Sequence, residues 1–298
     1  MAGPVASLVL GLPDAAGGSP QPQPQSRGRG LLRTLEITIP GALLLVLLFF
    51  CFIWPLVYPV PSPTYGSVLN ADLPMWSPGH IFGTTNVGYD NMARILYGGR
   101  TTFEIAAAVQ AIGLVVGGLL GVVAGYAGGI VESVLMRVLD VFIAFPSLVL
   151  ILVIADSLGQ SELHLIWAQS AFSIPAVARV ARAGTLRLRE QPFVVAARLS
   201  SVKAWRILSG HIVPNLIPQL LTFSMLGTGV IIIIESGLDF LGYGIPDPAP
   251  SWGGMIASGQ TVMSVALSPL VVPSLFLFGT VVCLNLLSDG LRSRWGVR

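Results

Sequence analysis

The stretch Gln191–Asn215, QPFVVAARLSSVKAWRILSGHIVPN, decides how this chain is read. Arg198, Lys203, Arg206 and His211 make it too polar to cross a bilayer, yet long apolar runs surround it. Pro192 suits a first helical turn, where no amide donor is needed. Phe193, Ala196, Ala197, Ser200 and Ala204 then fall at helical spacing on one face, and Arg198 sits on another flank with Val194 and Val195. The weak helix formers Ser200 and Ser201 predict a turn between two short helices. Trp205, Ile207 and Leu208 suit a membrane interface, and His211 with Pro214 and Asn215 leads into the next apolar run. Two readings fit this pattern. One is an amphipathic helix lying on anionic headgroups. The other is a small-residue face that docks into a groove of a soluble partner.

Outward from this element, the composition is that of a membrane protein. The 298 residues are 53% hydrophobic and 10% charged, with a mean hydropathy of +0.79. Soluble domains carry about 25% charged residues. The sequence therefore predicts an all-α integral membrane fold with six transmembrane helices, each needing about 20 apolar residues. They run Ile37–Tyr58, Phe103–Tyr126, Val138–Ala155, Leu163–Ala181, Ile212–Ile234 and Val262–Leu287. The fourth is the weakest, with His164, Gln169, Ser170, Ser173 and Pro175, and is expected to face protein or water. Six crossings put all but Arg94 and Arg100 of the 16 positive residues on one side. By the positive-inside rule that side is cytoplasmic and holds both termini and the opening stretch.

Residues 1–35, with QPQPQSRGRG, cannot bury a core and are expected to form an unstructured cytoplasmic extension. Residues 36–80 give the first span and the start of an external loop, and 81–298 the remaining membrane domain, with the polar loop at about 184–215. Gly113, Gly117, Gly121 and Gly125 recur every four residues, a stripe that lets a second helix backbone approach closely. That second helix belongs either to this chain or to another subunit. Cys51, Cys283, His80, His164 and His211 are scattered, so no metal site and no metal cofactor is expected. The chain contains no G-x-x-x-x-G-K-[ST] loop and is expected to carry out no ATP chemistry itself. Nothing in its charge pattern points to nucleic acid.

The opening stretch resembles the EAA loop of binding-protein-dependent ABC importer permeases, in the dipeptide, oligopeptide and nickel branch. That loop reads like YVEAARALG followed by H-x-x-P-N. FVVAARLSS, His211 and Pro214-Asn215 keep the frame here, with Val195 where the family has Glu and Ser201 where it has Gly. Four further blocks follow the family in order. FGTTNVGYDNMARILYGGR is similar to F-G-T-D-x-x-G-R-D with R-x-L-Y-G-x-R, and GYAGGIVESVLMRVLDVFIAFPSLVL keeps Arg137, Asp140 and Pro146. ESGLDFLGYGIPDPAPSWGGMI and LNLLSDGLRSRWGVR match the last two blocks, the latter without its final acidic residues.

The resemblance implies a type I ABC importer permease fold and a non-catalytic subunit in a bacterial cytoplasmic membrane. Its implied partners are a second homologous permease, two cytosolic ATPases (or one fused ATPase) that bind ATP and magnesium, and an extracytoplasmic substrate-binding lipoprotein. Short peptides are the implied cargo, with nickel chelates or another small solute as the alternative. Carried over, Phe193, Val194, Val195, Ala196, Ala197, Arg198, Ser201 and His211 form the helix and turn that couple to the ATPase. Glu235 and Asp239, four apart near an outer helix end, are expected either in an external vestibule, meeting a peptide's amino group, or as solvated end charges. Trp252, in the proline-rich outer turn, is expected near the path or the binding-protein face. An intramembrane enzyme or a stand-alone carrier remains as a remote alternative; the first lacks a nucleophile–base pair and the second an internal repeat.

Overall fold

Proline and glycine positions set the segmentation seen in the computed structural model, which describes residues 27–264 and 266–296, with side chains from residue 36 onward. All regular elements among these residues are helical. Helix α1 (Arg27–Leu48) continues through a wide π-type turn into α2 (Trp54–Val57). After an outer loop, α3 (Asn91–Ile112) and α4 (Gly118–Ala127) form one rod through a second π-type turn at Gly113–Gly117. Then come α5 (Gly129–Ala144), α6 (Ser147–Leu158), α7 (Glu162–Arg189), α8 (Pro192–Leu199) and α9 (Ala204–Ile207). The chain ends with α10 (Val213–Phe240), α11 (Trp252–Thr261) and α12 (Ser268–Trp295).

Among the described residues, four helices are long and apolar enough to cross a membrane: Glu36–Val57, Asn91–Ala127, Ala204–Phe240 and Ser268–Trp295. A fifth follows if α5 and α6 count as one span, but they meet at 80°. The cause is Phe145, which precedes Pro146 and is driven to an extended ψ of 141° because the proline ring crowds the α region. The expected third span is thus a broken helix, and the expected fourth, α7, has the length of a span without the apolar composition. Its polar and small residues are accommodated because Gln169, Ser170, Ala178, Ala181, Gly184 and Thr185 are buried among neighbouring helices rather than facing lipid. Of the expected unstructured extension, residues 1–26 lie outside the described residues, and α1 is already helical from Arg27.

The glycine stripe is a seam within this chain. A Cβ on Gly113 would meet Ser173, on Gly117 the Ile174 carbonyl, on Gly121 the Ala178 carbonyl, and on Gly125 the Arg182 carbonyl with Thr185. All five of these residues belong to α7, so of the two expected readings of the stripe the structure gives packing within this chain. At the basic end of the same seam, Arg182 Nε donates to Glu132 Oε1 at 2.6 Å and Arg179 Nη2 to Asp140 Oδ1 at 2.6 Å, tying α5 to α7. Asp140 is therefore held across the seam by Arg179 of α7.

At the opposite end, long loops are stitched together by a few polar groups. Asp90 caps α3 by accepting from Ala93 N at 2.8 Å, and its other oxygen meets His80 Nδ1 at 2.6 Å. Arg94, one turn into α3, donates to the Pro63 carbonyl at 3.0 Å and the Pro248 carbonyl at 3.2 Å. Three segments distant in sequence thus close over the start of α3.

Candidate coupling site

At the basic end, the chain leaves α7 and re-enters the bundle at α10 through α8 and α9. Pro192 occupies the first turn of α8, and the Gln191 carbonyl accepts from Val194 N at 3.0 Å and Val195 N at 3.1 Å. Helix α8 stops at a paired hydrogen-bond motif. Ser201 N donates to the Arg198 carbonyl at 3.0 Å, and Val202 N reaches back to the Ala197 carbonyl at 3.2 Å. This 5→2 and 6→1 pairing requires a left-handed residue at the first position beyond the cap. Ser201 takes it, with φ +56°. A side chain there pays a steric cost that glycine does not, which gives a physical reason for the Gly expected at this point of the loop.

The pairing turns one face of α8 inward. Val194 is completely buried and packs with Ile207 and Ile212, while Ala197, Val202, Tyr126, Leu188 and Leu208 surround that cluster. Val194, placed in the coupling helix by its sequence, is therefore the inward anchor of that helix. Ala197 is half-buried on the same side. Arg198 lies with its guanidinium carbon 5.0 Å from the centre of the Tyr126 ring, which fixes the far flank to the end of α4. His211 is 6.3 Å from the Phe193 ring, and its carbonyl accepts from Asn215 Nδ2 at 2.6 Å.

What remains outside is apolar. Phe193, Val195 and Leu199 are exposed on α8, Leu199 at 82%, beside exposed Ala196, and Trp205 is exposed on α9. These side chains stand on a short helix whose base is pinned by Val194 and whose end is pinned by the Ser201 turn. Such a projection can pass a push between a partner and the helices on either side of it. Among these side chains no acid, base and nucleophile converge.

The other expected site residues sit elsewhere. Glu235 is 1% exposed and takes hydrogen bonds from Thr102 Oγ1 at 3.4 Å and Ser236 Oγ at 3.3 Å, so it faces neither a vestibule nor solvent. Asp239 is buried one turn later and accepts from Ile245 N at 2.7 Å, bracing the loop after α10. The expectation placed both near an outer end because α10 was expected to stop at Ile234; it continues to Phe240. Trp252 is fully buried. Its Nε1 donates to the Ile95 carbonyl at 3.0 Å and its ring meets Phe103 edge-on at 5.6 Å, so it is a core residue rather than a path residue. The sequence reading gave Arg94 no part; its signal was an arginine one turn after the acidic cap of a span-length helix.

Comparison with known proteins follows the same geometry. The family described as binding-protein-dependent transport system inner membrane component matches residues 117–295, from the second π-type turn to the end of α12. The glutathione transport system permease protein of Pectobacterium atrosepticum is 35% identical over 216 residues, covering 72% of each chain. The probable D,D-dipeptide transport system permease protein of Escherichia coli (strain K12) is 31% identical over 262 residues, 88% of each chain. The oligopeptide transport system permease protein of Haemophilus influenzae is 33% identical over 213 residues, 72% of this chain and 68% of that one. A crystal structure of an amino acid ABC transporter shares the fold at a TM-score of 0.53 and 17% identity, over 67% of this chain and 94% of that chain. With five ordered sequence blocks, an all-helical bundle and a pinned helical projection between α7 and α10, this chain belongs to the inner-membrane permease components of binding-protein-dependent ABC transport systems.

Proposed function

We propose that the chain is one of two permease subunits of an ATP-driven importer that takes up short peptides delivered by an extracytoplasmic binding protein. The observation that carries the reading is the outward apolar face of α8, held on an anchored base at the end of the molecule richest in arginine. A non-catalytic membrane subunit needs such a face to receive the stroke of a separate ATPase, and ATP with magnesium then binds on that partner. Both termini lie on the same side as α8, in the cytoplasm, with the loops around Asp90 and Trp252 outside. The peptide cargo is supported by relatives whose names specify dipeptide, oligopeptide and glutathione transport. Partner choice, a second permease different from this chain, follows the same reading.

The test is uptake by a reconstituted assembly of both permeases, the ATPases and the binding protein in proteoliposomes. Labelled di- to pentapeptides should accumulate only with ATP inside reach of the ATPases and binding protein on the opposite face. Uptake of nickel chelates with no peptide uptake would replace the cargo; peptide uptake without ATPase would discard the importer reading altogether.

A further inference from the structure

At the arginine-rich end, α5 and α7 border an open cleft of about 610 Å³. Its volume lies within the roughly 300–1,000 Å³ typical of small-molecule sites. Five charged side chains line it, Glu132, Arg137 and Asp140 from α5 and Arg179 and Arg182 from α7. Their charges do not balance. Arg182 is paired with Glu132 and Arg179 with Asp140. Arg137 is left exposed, with no ion pair or hydrogen bond among the described residues. One positive charge in the cleft is therefore unspent.

The position of Arg137 and the space beside it narrow what can pair with it. Arg137 lies about 12 Å beyond the start of α5, in the first half of the broken span. Ionisable side chains within spans are costly, turn to water-filled cavities and mark pathways. The face of α5 suited to lipid is a different one: Ile130, Val134, Val138 and Val141 form an apolar stripe, each more than half exposed. Arg179 lines both this cleft and a second, mainly apolar cavity of about 560 Å³ walled by Phe145, Phe172 and Val230. An apolar chamber thus adjoins a charged one at the Arg179–Asp140 pair, on the way to the basic end. Met136 is the one large apolar side chain among the described residues lining the cleft, so the chains of a phospholipid find no wall beside Arg137. Both carboxylates are already paired, so a metal cation finds no free ligand. A small polar anion does fit, and a terminal carboxylate is one that a guanidinium holds through two parallel hydrogen bonds.

We infer that this cleft is an exit subsite of the path, where Arg137 receives the terminal carboxylate of the peptide as it leaves the apolar cavity. The inference rests on the peptide-importer reading above. It is tested in the complete reconstituted transporter with Arg137→Gln and Arg137→Lys. Trialanine uptake should fall about tenfold in R137Q, the loss of one charge-assisted contact, and R137K should recover most of it. Contact is read separately by trapping. Ser133→Cys places a thiol one turn before Arg137 on the same cleft. The peptides Ala-Ala-Cys and Cys-Ala-Ala are then offered during ATP-driven uptake under mild oxidation. The peptide with the C-terminal cysteine should be trapped as a disulfide several-fold more, and adding R137Q should abolish that preference. Cys51 and Cys283 are buried and should trap little. Equal trapping of the two peptides overturns the carboxylate contact, and continued uptake with no trapping overturns the cleft as part of the path. Failure of R137Q to assemble with the second permease would make Arg137 a subunit contact. A defect confined to vesicles containing phosphatidylglycerol would make it a lipid contact, and either result overturns the subsite. If wild type takes up no peptide at all, the importer reading fails first and the subsite with it.

Discussion

Ser201 shows how much one residue of the coupling segment decides. Its left-handed conformation is what lets α8 end in the paired hydrogen bonds and aims Val194 inward. Replacing it with glycine removes the steric penalty while adding some chain entropy in the unfolded state, a net gain of about 1 kcal/mol at most. Ser201→Gly should therefore raise the melting temperature of the purified assembly slightly, whereas Ser201→Val, β-branched at a positive φ, should lower it. Val194→Ala tests the anchor itself. Removing most of a fully buried side chain should cost about 1–3 kcal/mol and make the segment more open to limited proteolysis, without touching the outward face. The Ser200–Ser201 turn was legible in the sequence because two poor helix formers follow an apolar run. The inward position of Val194 was not. Phe193, Val194 and Val195 are all apolar, and only the packing of Ile207 and Ile212 from beyond the turn decides which of the three is buried.

At the scale of elements, the decisive contact is the seam between α4 and α7. Gly117 meets a carbonyl of α7, whereas a Cβ on its neighbour Gly118 would meet Leu220 at an ordinary 3.9 Å. Gly117→Ala should lower the yield of folded protein in membranes, and Gly118→Ala should leave it near wild type; equal yields would contradict the seam. The ion pair between Glu132 and Arg182 gives a second check. Glu132→Arg or Arg182→Glu alone should reduce thermal stability by about 1 kcal/mol or more, and the double charge swap should recover part of the loss. The four-residue glycine spacing was legible because small residues at that spacing have a direct geometric meaning. Its partner helix was not, since α7 is the least apolar of the long segments and its burial comes from neighbours remote in sequence. The same applies to the bend: Pro146 is visible in the sequence, but an apolar window spanning it averages two helices that meet at 80° into one.

For the whole molecule, the proposed importer puts the arginine-rich end on one side of the membrane and the loop before α3 on the other. Cysteines introduced at Lys203 and at Val68, which is 83% exposed in the outer loop, should label from opposite faces of sealed vesicles. Labelling of both from one face would contradict that placement, and the native Cys51 and Cys283 are buried, which keeps the background low. The all-helical membrane architecture was legible because long apolar runs stand out in the sequence itself. The closure of the outer end was not, because Trp252 and Arg94 act through carbonyls of Ile95, Pro63 and Pro248, contacts that no local pattern announces. The central claim is that α8 of this chain receives the ATPase. It is tested most directly by copurification of ATPase with the tagged permease pair, comparing wild type with Leu199→Glu, a change on the most exposed apolar side chain of α8. In the variant the permease pair should be recovered intact while the ATPase is lost and ATP-driven uptake ceases. Full retention of the ATPase with unimpaired uptake would contradict it.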